Sequence, residues 1–415
     1  MFDLDKWQEI FNTIRKHKLR TFLTGLGVFW GIFMLVFLMG AGKGLENGVM
    51  GLFGGHAKNS MYMWTQRTTK AYKGLPPGRR LQLTMGDMEA IDAKFGDQIQ
   101  YIAPRMWMPS GEVNYEDKKA AFDVRGDGPD LVNIDAISIE QGRFINHLDM
   151  KERRKIAIIG KRVREVLFEG KEDQALGELI KIQGVEYKVV GIFKSDRRGG
   201  DAEEDENSIL LPITTVQQVR NLPNYIGWFV CATYPNISVS QIEEKVETLL
   251  KERHSVAPED MNAIGSENVE EQFREINGLF LGIKFIVWVV GIGSLIAGVI
   301  GVGNIMLIVV KERTKEIGIR KAMGATPRSI ISMILLESVF ITSFAGYLGL
   351  LASTGIIILM SIGVGEGAGF FANPEVDINV GLVALLVLVF AGALSGLLPA
   401  MHAANINPVV ALKDE

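Results

Sequence analysis

The sequence has 415 residues, with 44 Lys and Arg against 48 Asp and Glu, so its net charge at pH 7 is −4. This near neutrality argues against nucleic-acid binding, which relies on clustered Lys and Arg, and we predict no nucleic-acid partner. The single cysteine, Cys231, excludes an intrachain disulfide and a Cys-x-x-Cys metal or redox pair.

Four apolar blocks interrupt a sequence that is otherwise rich in charge, and they lie at residues 21–42, 285–310, 331–365 and 380–400. Glu337 is the only charged side chain in these blocks. Each block is at least as long as the roughly 20 apolar residues that cross a hydrocarbon core of ~30 Å. We therefore predict a membrane protein with four transmembrane α-helices. The third block is too long for one simple span, so we expect it to tilt, break or protrude near its end.

Residues 1–20 are predicted to form an amphipathic helix that lies on the cytoplasmic face of the membrane lipid. Leu4, Trp7, Phe11 and Ile14 recur at helical spacing on one face, and polar residues occupy the others. A basic tail without helical structure is the alternative.

The distribution of Lys and Arg predicts the topology. The N-terminal segment and the loop 311–330, called here the basic loop, are rich in Lys and Arg, whereas the loop 366–379 has none. Because cytoplasmic loops carry the excess of positive charge, we place both basic segments in the cytoplasm. Residues 43–284 and the loop 366–379 are then extracytoplasmic, and the tail 401–415 is cytoplasmic.

Residues 43–284 have the composition of a soluble protein, and we predict a large α+β domain of two subdomains, inserted between helix 1 and helix 2. One subdomain would combine both ends of this segment, and the other would be inserted into it. Strand-like runs lie at 186–193, 208–212 and 226–233, and helix-like runs lie at 85–95, 161–168 and 239–254.

Three features of this domain are interpreted as structural. The acidic run 201–206 lacks the Gly and the Asp spacing of an EF-hand loop, so we predict a solvated loop and no calcium site. Cys231 lies in an apolar run and is expected to be buried. Trp64, Trp107 and Trp228 are interpreted as core residues, with a substrate cleft as the alternative.

Small residues recur at helical spacing on one face of the second and third apolar blocks. Such faces allow helices to pack closely in a membrane, within one chain or between two copies. The predicted helix-packing or dimer residues are Gly291, Ser294, Gly298, Gly301, Gly346 and Gly349.

Glu337 is the one intramembrane charge, and such residues are expensive to bury. We predict that it pairs structurally, at a helix interface or with the basic loop. A proton relay is the alternative, and it would need ionisable partners that the other blocks do not offer.

The basic loop predicts a short helix that faces a cytosolic partner. Glu316 and Arg320 have the spacing of a stabilising helical ion pair, and Gly324 is typical of a helix end. Ile319 and Met323 form a small apolar ridge. A loop that only orients the chain is the alternative, but orientation does not require this ridge.

Signatures of catalysis are missing from the sequence. The three Gly-Lys pairs lack the Ser or Thr that completes a Walker A loop, and no His is followed by Glu as in HExxH metalloproteases. We predict no catalytic residue, no metal ligand and no cofactor held by this chain.

Residues 312–325, ERTKEIGIRKAMGA, resemble the inner loop of the MacB-like and FtsX-like ABC transporter permeases, which reads approximately E-R-T-x-E-I-G-I-R-x-A-x-G-A. The resemblance covers nearly the whole chain, including the segments around Arg143 and Pro399, although His402 and Val410 depart from the family pattern. By this resemblance, the ATPase-coupling residues are Glu312, Arg313, Glu316, Ile317, Gly318, Arg320, Met323 and Gly324.

The resemblance implies a multi-pass permease of the cytoplasmic (inner) membrane with a MacB-type extracytoplasmic domain. Family members work as dimers, so a second copy or a paralogue is an expected partner. They pass ATP-driven motion through the membrane. Because this chain has no Walker A loop, a separate cytosolic ABC ATPase subunit is expected to bind the ATP. A periplasmic adaptor and an outer-membrane channel are further candidate partners.

The leading interpretation is the permease subunit of an ABC-type exporter. Two alternatives share the fold. One is a permease that extracts lipoproteins or lipids from the membrane, and the other is an FtsX-like signalling scaffold that regulates cell-wall enzymes.

Overall fold

The computed structural model describes residues 18–52, 57–197, 200–364, 371–375 and 378–405. The predicted N-terminal amphipathic helix and most of the tail lie outside these residues, as does part of the last loop. The chain divides into two compact units. The membrane unit comprises Met1–Gly48 and Leu279–Glu415, and the sheet unit comprises Val49–Gly278.

Helices account for most of the membrane unit and cover parts of the sheet unit. In chain order they are α1 (Lys18–Leu52), α2 (Met85–Phe95), α3 (His147–Glu152), α4 (Lys161–Leu167), α5 (Gly200–Glu206), α6 (Ile213–Val219), α7 (Val239–Arg253), α8 (Val269–Glu312), α9 (Thr314–Ala322), α10 (Pro327–Val364) and α11 (Ile378–Ala404).

The prediction of four transmembrane helices is confirmed, because α1, α8, α10 and α11 are each long and apolar enough to cross a membrane. The helices extend beyond the apolar blocks. α1 continues past Gly42 to Leu52, and α8 begins at Val269, well before residue 285. Hydropathy marks the part of a helix that suits lipid, whereas helix ends depend on hydrogen bonding and capping. α10 is continuous to Val364 and does not break.

The sheet unit contains strands from its beginning, middle and end. They are β1 (Ser60–Thr65), β2 (Leu83–Thr84), β3 (Ile99–Tyr115), β4 (Lys118–Asp127), β5 (Ile137–Gly142), β6 (Ile156–Gly160), β7 (Leu179–Ile182), β8 (Val185–Ser195), β9 (Ser208–Pro212), β10 (Tyr225–Ile226), β11 (Trp228–Thr233) and β12 (Ile264–Asn268).

Ten of these strands form one mixed sheet in the order β12-β1-β11-β3-β4-β9-β6-β8-β5, with β7 paired to β3 and β8, while β10 and β2 pair separately. The two ends of the unit meet at one edge, where β1 lies between β11 and β12. The middle strands form the other edge. The division into two subdomains stays a prediction, since hydrogen bonding runs continuously across the sheet.

The main core lies between the sheet and the helices α2, α4 and α7. It contains Met61, Ile91, Val163 and Phe229, all fully buried, together with Cys231. Burial raises the pKa of the Cys231 thiol well above its ordinary value, so the side chain stays protonated at neutral pH and packs as an apolar residue.

Two interpretations of the sheet unit were wrong. Residues 201–206 are not a solvated loop, because they form α5, which turns Asp205 inward while Glu204 stays exposed. Asp205 accepts a hydrogen bond from the Ser195 hydroxyl at 3.0 Å and lies 3.3 Å from the Arg197 guanidinium, which compensates its burial. Trp107 is not a core residue either, since 49% of it is exposed.

Candidate functional site at the short helix between two membrane segments

The short helix α9 follows α8 after a break at Arg313 and ends in a hydrogen-bonded cap. The Gly324 N–H donates to the carbonyl of Lys321 at 3.0 Å, and the Ala325 N–H donates to the carbonyl of Arg320 at 2.9 Å. Gly324 has φ +96°, a left-handed conformation that glycine adopts without strain. The last helical residue is Ala322, and Gly324, which the sequence indicates as a helix end, lies two residues beyond it.

The inner face of α9 packs on the membrane helices of its own chain. Ile317 is 2% exposed and Gly318 is also buried. The Lys321 Nζ donates to the carbonyl of Ala404 at 2.7 Å, which satisfies a carbonyl at the end of α11. The buried residues that share a cluster with Ile317 are Val310, Ile330, Ile334, Ala400 and Ala403. α9 therefore packs against the ends of α8, α10 and α11.

The opposite face of α9 is open. Ile319 is 44% exposed and Met323 is 76% exposed. Glu316 is also exposed, and its carboxylate lies 2.9 Å from the Arg320 guanidinium, which is the ion pair that the sequence spacing predicts. This apolar and charged surface, formed by Glu316, Ile319 and Met323, is called the outer face of α9.

The predicted coupling residues therefore divide between two locations. Glu316 and Met323 lie on the outer face, whereas Ile317 and Gly318 are covered by the membrane helices. The sequence pattern alone does not show this division, because a short helix can turn either of two apolar stripes toward its own chain.

Arg313 faces the membrane segment and not the outer face of α9. Its Nη1 lies 3.1 Å from the Glu337 Oε2, and Glu337 is 5% exposed. The pair joins the junction between α8 and α9 to α10, so the intramembrane carboxylate lies beside a cation from the basic loop.

The predicted packing residues lie at helix contacts, with one exception. A methyl group added at Gly298 would lie 3.1 Å from the carbonyl oxygen of Gly27, and one added at Gly349 would lie 2.6 Å from that of Phe29. Gly301 has open space around it. The remaining contacts are those of Gly291 with Leu35, of Ser294 with Gly31, and of Gly346 with Ile32 and Leu385.

Sequence reasoning missed two serine contacts in the membrane unit. The Ser338 hydroxyl donates to the carbonyl of Gly392 at 2.9 Å, and the Ser395 hydroxyl donates to that of Val299 at 3.0 Å. Hydroxyl groups hydrogen-bond across helices in lipid because water is absent there. The signal was the placement of Ser395 three residues after Gly392, which puts small and polar groups on one face.

The described residues contain no group of three His, Cys, Asp or Glu side chains that could hold a metal ion.

Comparison with known families gives two matches. Residues 21–249 match the MacB-like periplasmic core domain, and residues 288–408 match the FtsX-like permease C-terminal domain. The first match alone covers more than half of the chain.

Curated relatives match along almost the whole chain. The "Macrolide export ATP-binding/permease protein MacB" of Bdellovibrio bacteriovorus is 27% identical over 406 residues, which is 98% of this chain and 61% of the relative. The "Pyoverdine export ATP-binding/permease protein PvdT" of Pseudomonas entomophila is 29% identical over 406 residues, which is 96% of this chain and 58% of the relative. The chain thus spans about three fifths of the length of the curated relatives that it matches.

Solved structures are similar to about half of the chain. The periplasmic region of MacB from Actinobacillus actinomycetemcomitans has a TM-score of 0.44 and 14% identity over 56% of this chain and 97% of that structure. The extracellular domain of the transporter YknZ has a TM-score of 0.41 and 15% identity over 51% of this chain and all of that domain.

The two family models match consecutive parts of the chain, and the chain has four helices that could cross a membrane. This protein therefore belongs to the MacB-like and FtsX-like family of ABC transporter permeases.

Proposed function

We propose that this chain is the permease subunit of an ABC-type exporter that is driven by a separate cytosolic ATPase. The observation that carries the proposal is the outer face of α9, where Ile319 and Met323 are exposed although the opposite face is fixed to three membrane helices. A helix that is anchored on one side and apolar on the other suits a partner protein.

The contacts of α9 would let it transmit force. Ile317 is buried among membrane-helix residues, Lys321 binds the end of α11, and Arg313 pairs with Glu337 of α10. Packed elements of this kind move as bodies and do not deform independently. A displacement of α9 by a nucleotide-dependent partner would therefore shift the ends of α8, α10 and α11 together.

Four further features belong to the same proposal. The basic loop is cytoplasmic, both chain termini are cytoplasmic, the sheet unit is extracytoplasmic, and two permease chains form the working unit. The first three are supported by the distribution of Lys and Arg. ATP would be bound by the partner, and these 415 residues contain no Walker A loop.

We propose that the cargo is exported, and we assign no chemical class to it. Relatives are named for macrolide export and pyoverdine export. These names belong to proteins of 26–29% identity, and pocket contacts decide specificity among such relatives.

Photo-crosslinking from α9 tests the proposal. The photoreactive residue benzoylphenylalanine would replace Met323 in the full-length protein in its native cells, and crosslinked proteins would be identified by mass spectrometry. We expect a crosslink to an ABC ATPase from position 323 and a much weaker one from the buried position 317. A matched exposed control is Leu359, which lies on α10 and is 69% exposed. If position 323 yields no ATPase, or no more of it than position 359, the outer face of α9 does not couple to an ATPase.

A further inference from the structure

The sheet unit contains a cleft that the proposed role of α9 does not use. It has a volume of about 380 Å³ and lies against strands β1, β3, β4, β11 and β12 and helix α5. We call it the Arg–Trp cleft. The side chains that define it here are Arg105, Arg125, Trp107, Trp228, Glu204 and Glu267. A cavity of this size is within the range of small-molecule and peptide sites.

Arg105 pairs with two carboxylates of the protein. Its Nε lies 2.7 Å from the Asp127 carboxylate, and its Nη1 lies 3.0 Å from that of Asp135. Because it is buried and doubly paired, Arg105 acts as a fixed part of the cleft floor.

Arg125 differs from Arg105 although both line the same cleft. It is 9% exposed, and its Nε has no hydrogen-bond partner. Its nearest carboxylate, that of Asp205, is 3.7 Å away, too long for a hydrogen bond. A buried guanidinium nitrogen without a hydrogen bond is costly, so the Nε of Arg125 favours a ligand that brings an acceptor oxygen into the cleft.

Two tryptophans form an apolar wall beside Arg125. The ring centroids of Trp107 and Trp228 are 5.2 Å apart, and the Arg125 guanidinium stacks over Trp107 at 4.5 Å. Cross-strand pairing fixes this arrangement, since Trp107 opposes Arg125 and Trp228 opposes Arg105. A half-exposed tryptophan held rigidly in a concave site offers a surface for an apolar side chain.

The rim of the cleft is acidic. Asp201 and Glu204 on α5 and Glu267 on β12 are exposed. Their combined potential attracts positive groups and repels anions. A wholly anionic ligand therefore does not suit the cleft, and a simple polyamine would leave Arg125 without an acceptor.

We propose that the Arg–Trp cleft binds a short peptide with a positive charge. Its ammonium groups would lie at Glu204 and Glu267, a carbonyl oxygen would accept from the Arg125 guanidinium, and an apolar side chain would pack on Trp107 and Trp228. The proposal goes beyond the coupling role of α9, because binding requires no ATPase and is measured without one.

Isothermal titration calorimetry on the purified full-length protein in a neutral detergent tests this proposal. The probe is the tripeptide amide Lys-Leu-Lys, compared with spermidine and with uncharged N-acetyl Ala-Leu-Ala amide. We expect the tripeptide to bind at least tenfold more tightly than either comparison ligand, because only it supplies ammonium, carbonyl and apolar groups together.

Variants locate the site. Glu204→Gln with Glu267→Gln should weaken tripeptide binding by roughly three- to tenfold, since two exposed charge contacts are lost. Glu203→Gln is the matched control, because Glu203 is exposed on the same helix but does not line the cleft, and it should leave the affinity within about twofold. Arg125→Met, which keeps much of the stem, should weaken binding about tenfold or more.

Three results would overturn the proposal. The first is that the tripeptide does not bind at millimolar concentration. The second is that spermidine binds as tightly as the tripeptide, and the third is that Glu203→Gln loses as much affinity for the tripeptide as Glu204→Gln with Glu267→Gln. Either of the last two would show that only the acidic surface attracts cations. If Arg125→Met does not fold, the comparison of Glu204 and Glu267 with Glu203 decides the question alone.

Discussion

The ion pair between Arg313 and Glu337 joins the start of α9 to α10 across 3.1 Å. Removing one member of a buried pair costs on the order of 3 kcal/mol, because the remaining charge loses its compensation. We expect Glu337→Gln to lower the midpoint of thermal unfolding of the full-length protein in detergent. Lys315→Gln, an exposed neutral substitution on α9, is the control and should leave that midpoint unchanged.

A double-mutant cycle separates pairing from the mere loss of a side chain. The double variant Glu337→Gln with Arg313→Met should lose less stability than the sum of the losses in the two single variants. Strictly additive effects would contradict an energetic coupling between the two residues.

Asp87 ties two helices of the sheet unit together. It is buried at the start of α2, and its carboxylate lies 2.7 Å from the Arg253 Nε and 3.0 Å from the His254 Nε2 at the end of α7. Burial alone would raise the pKa of Asp87, but hydrogen bonds from His254, Arg253 and the Thr84 N–H outweigh it and hold this pKa well below its usual range.

The direction of that shift predicts a pH dependence. Because the folded-state pKa is lowered, the stabilisation is complete above the unfolded value of about 3.9 and is lost as pH falls through the folded value. Asp87→Asn should therefore lower the unfolding midpoint at pH 7 and should differ less from the wild type in strong acid. Asp92→Asn, on the exposed side of α2, is the control. A constant difference across this pH range would contradict the assignment.

The two faces of α9 predict different consequences of substitution. Ile317→Ala removes a buried side chain and should lower the free energy of unfolding by about 2–5 kcal/mol. Met323→Ala removes an exposed one and should change it by no more than about 0.5 kcal/mol. Thermal unfolding of both variants checks this. Equal destabilisation would mean that the two faces of α9 are not distinguished as the structure places them.

Glu316→Lys extends the comparison to function. It removes the pair with Arg320, which contributes only about 0.2–0.5 kcal/mol to the helix, so membrane expression should be normal. Under the proposed function, the variant should retain less ATPase on co-purification. Unchanged ATPase recovery would show that the charge on the outer face does not contribute to docking.

At the scale of elements, the sequence predicts what local patterns determine. The helix predicted at residues 85–95 is Met85–Phe95, and the strand predicted at 208–212 is Ser208–Pro212, because apolar periodicity and capping are local. The orientation of Ile317 depends on the ends of α10 and α11, and Asp205, within residues 201–206, pairs with Arg125 of β4. Such partners are not adjacent in sequence, so periodicity could not identify them.

The same limit applies to the Arg–Trp cleft. Its tryptophans and arginines come from β3, β4 and β11, and only the strand register places Trp107 opposite Arg125. From sequence alone, an aromatic residue in a strand is expected to face a core. In the structure Trp107 is instead half-exposed, and its ring stacks with the guanidinium of the buried Arg125.

For the whole molecule, topology is the property on which the proposed mechanism depends. The proposal requires α9 in the cytoplasm and the sheet unit outside it. Labelling single cysteines in a Cys231→Ser background tests both, with a membrane-impermeant maleimide added to intact spheroplasts. The natural thiol is fully buried, so its replacement removes only a weak background.

The positions of the single cysteines are chosen by the exposure of the residues that they replace. Asp201 is exposed on α5, and Met323 is exposed on the outer face of α9, whereas Gly318 is buried and would resist labelling on either side of the membrane. We expect Asp201→Cys to react in intact spheroplasts and Met323→Cys to react only after the membrane is permeabilised. Because both sites are open to reagent in the folded chain, a difference between them reports the side of the membrane and not burial. Reaction of Met323→Cys in intact spheroplasts would place α9 outside, where no ATP-driven partner could reach it.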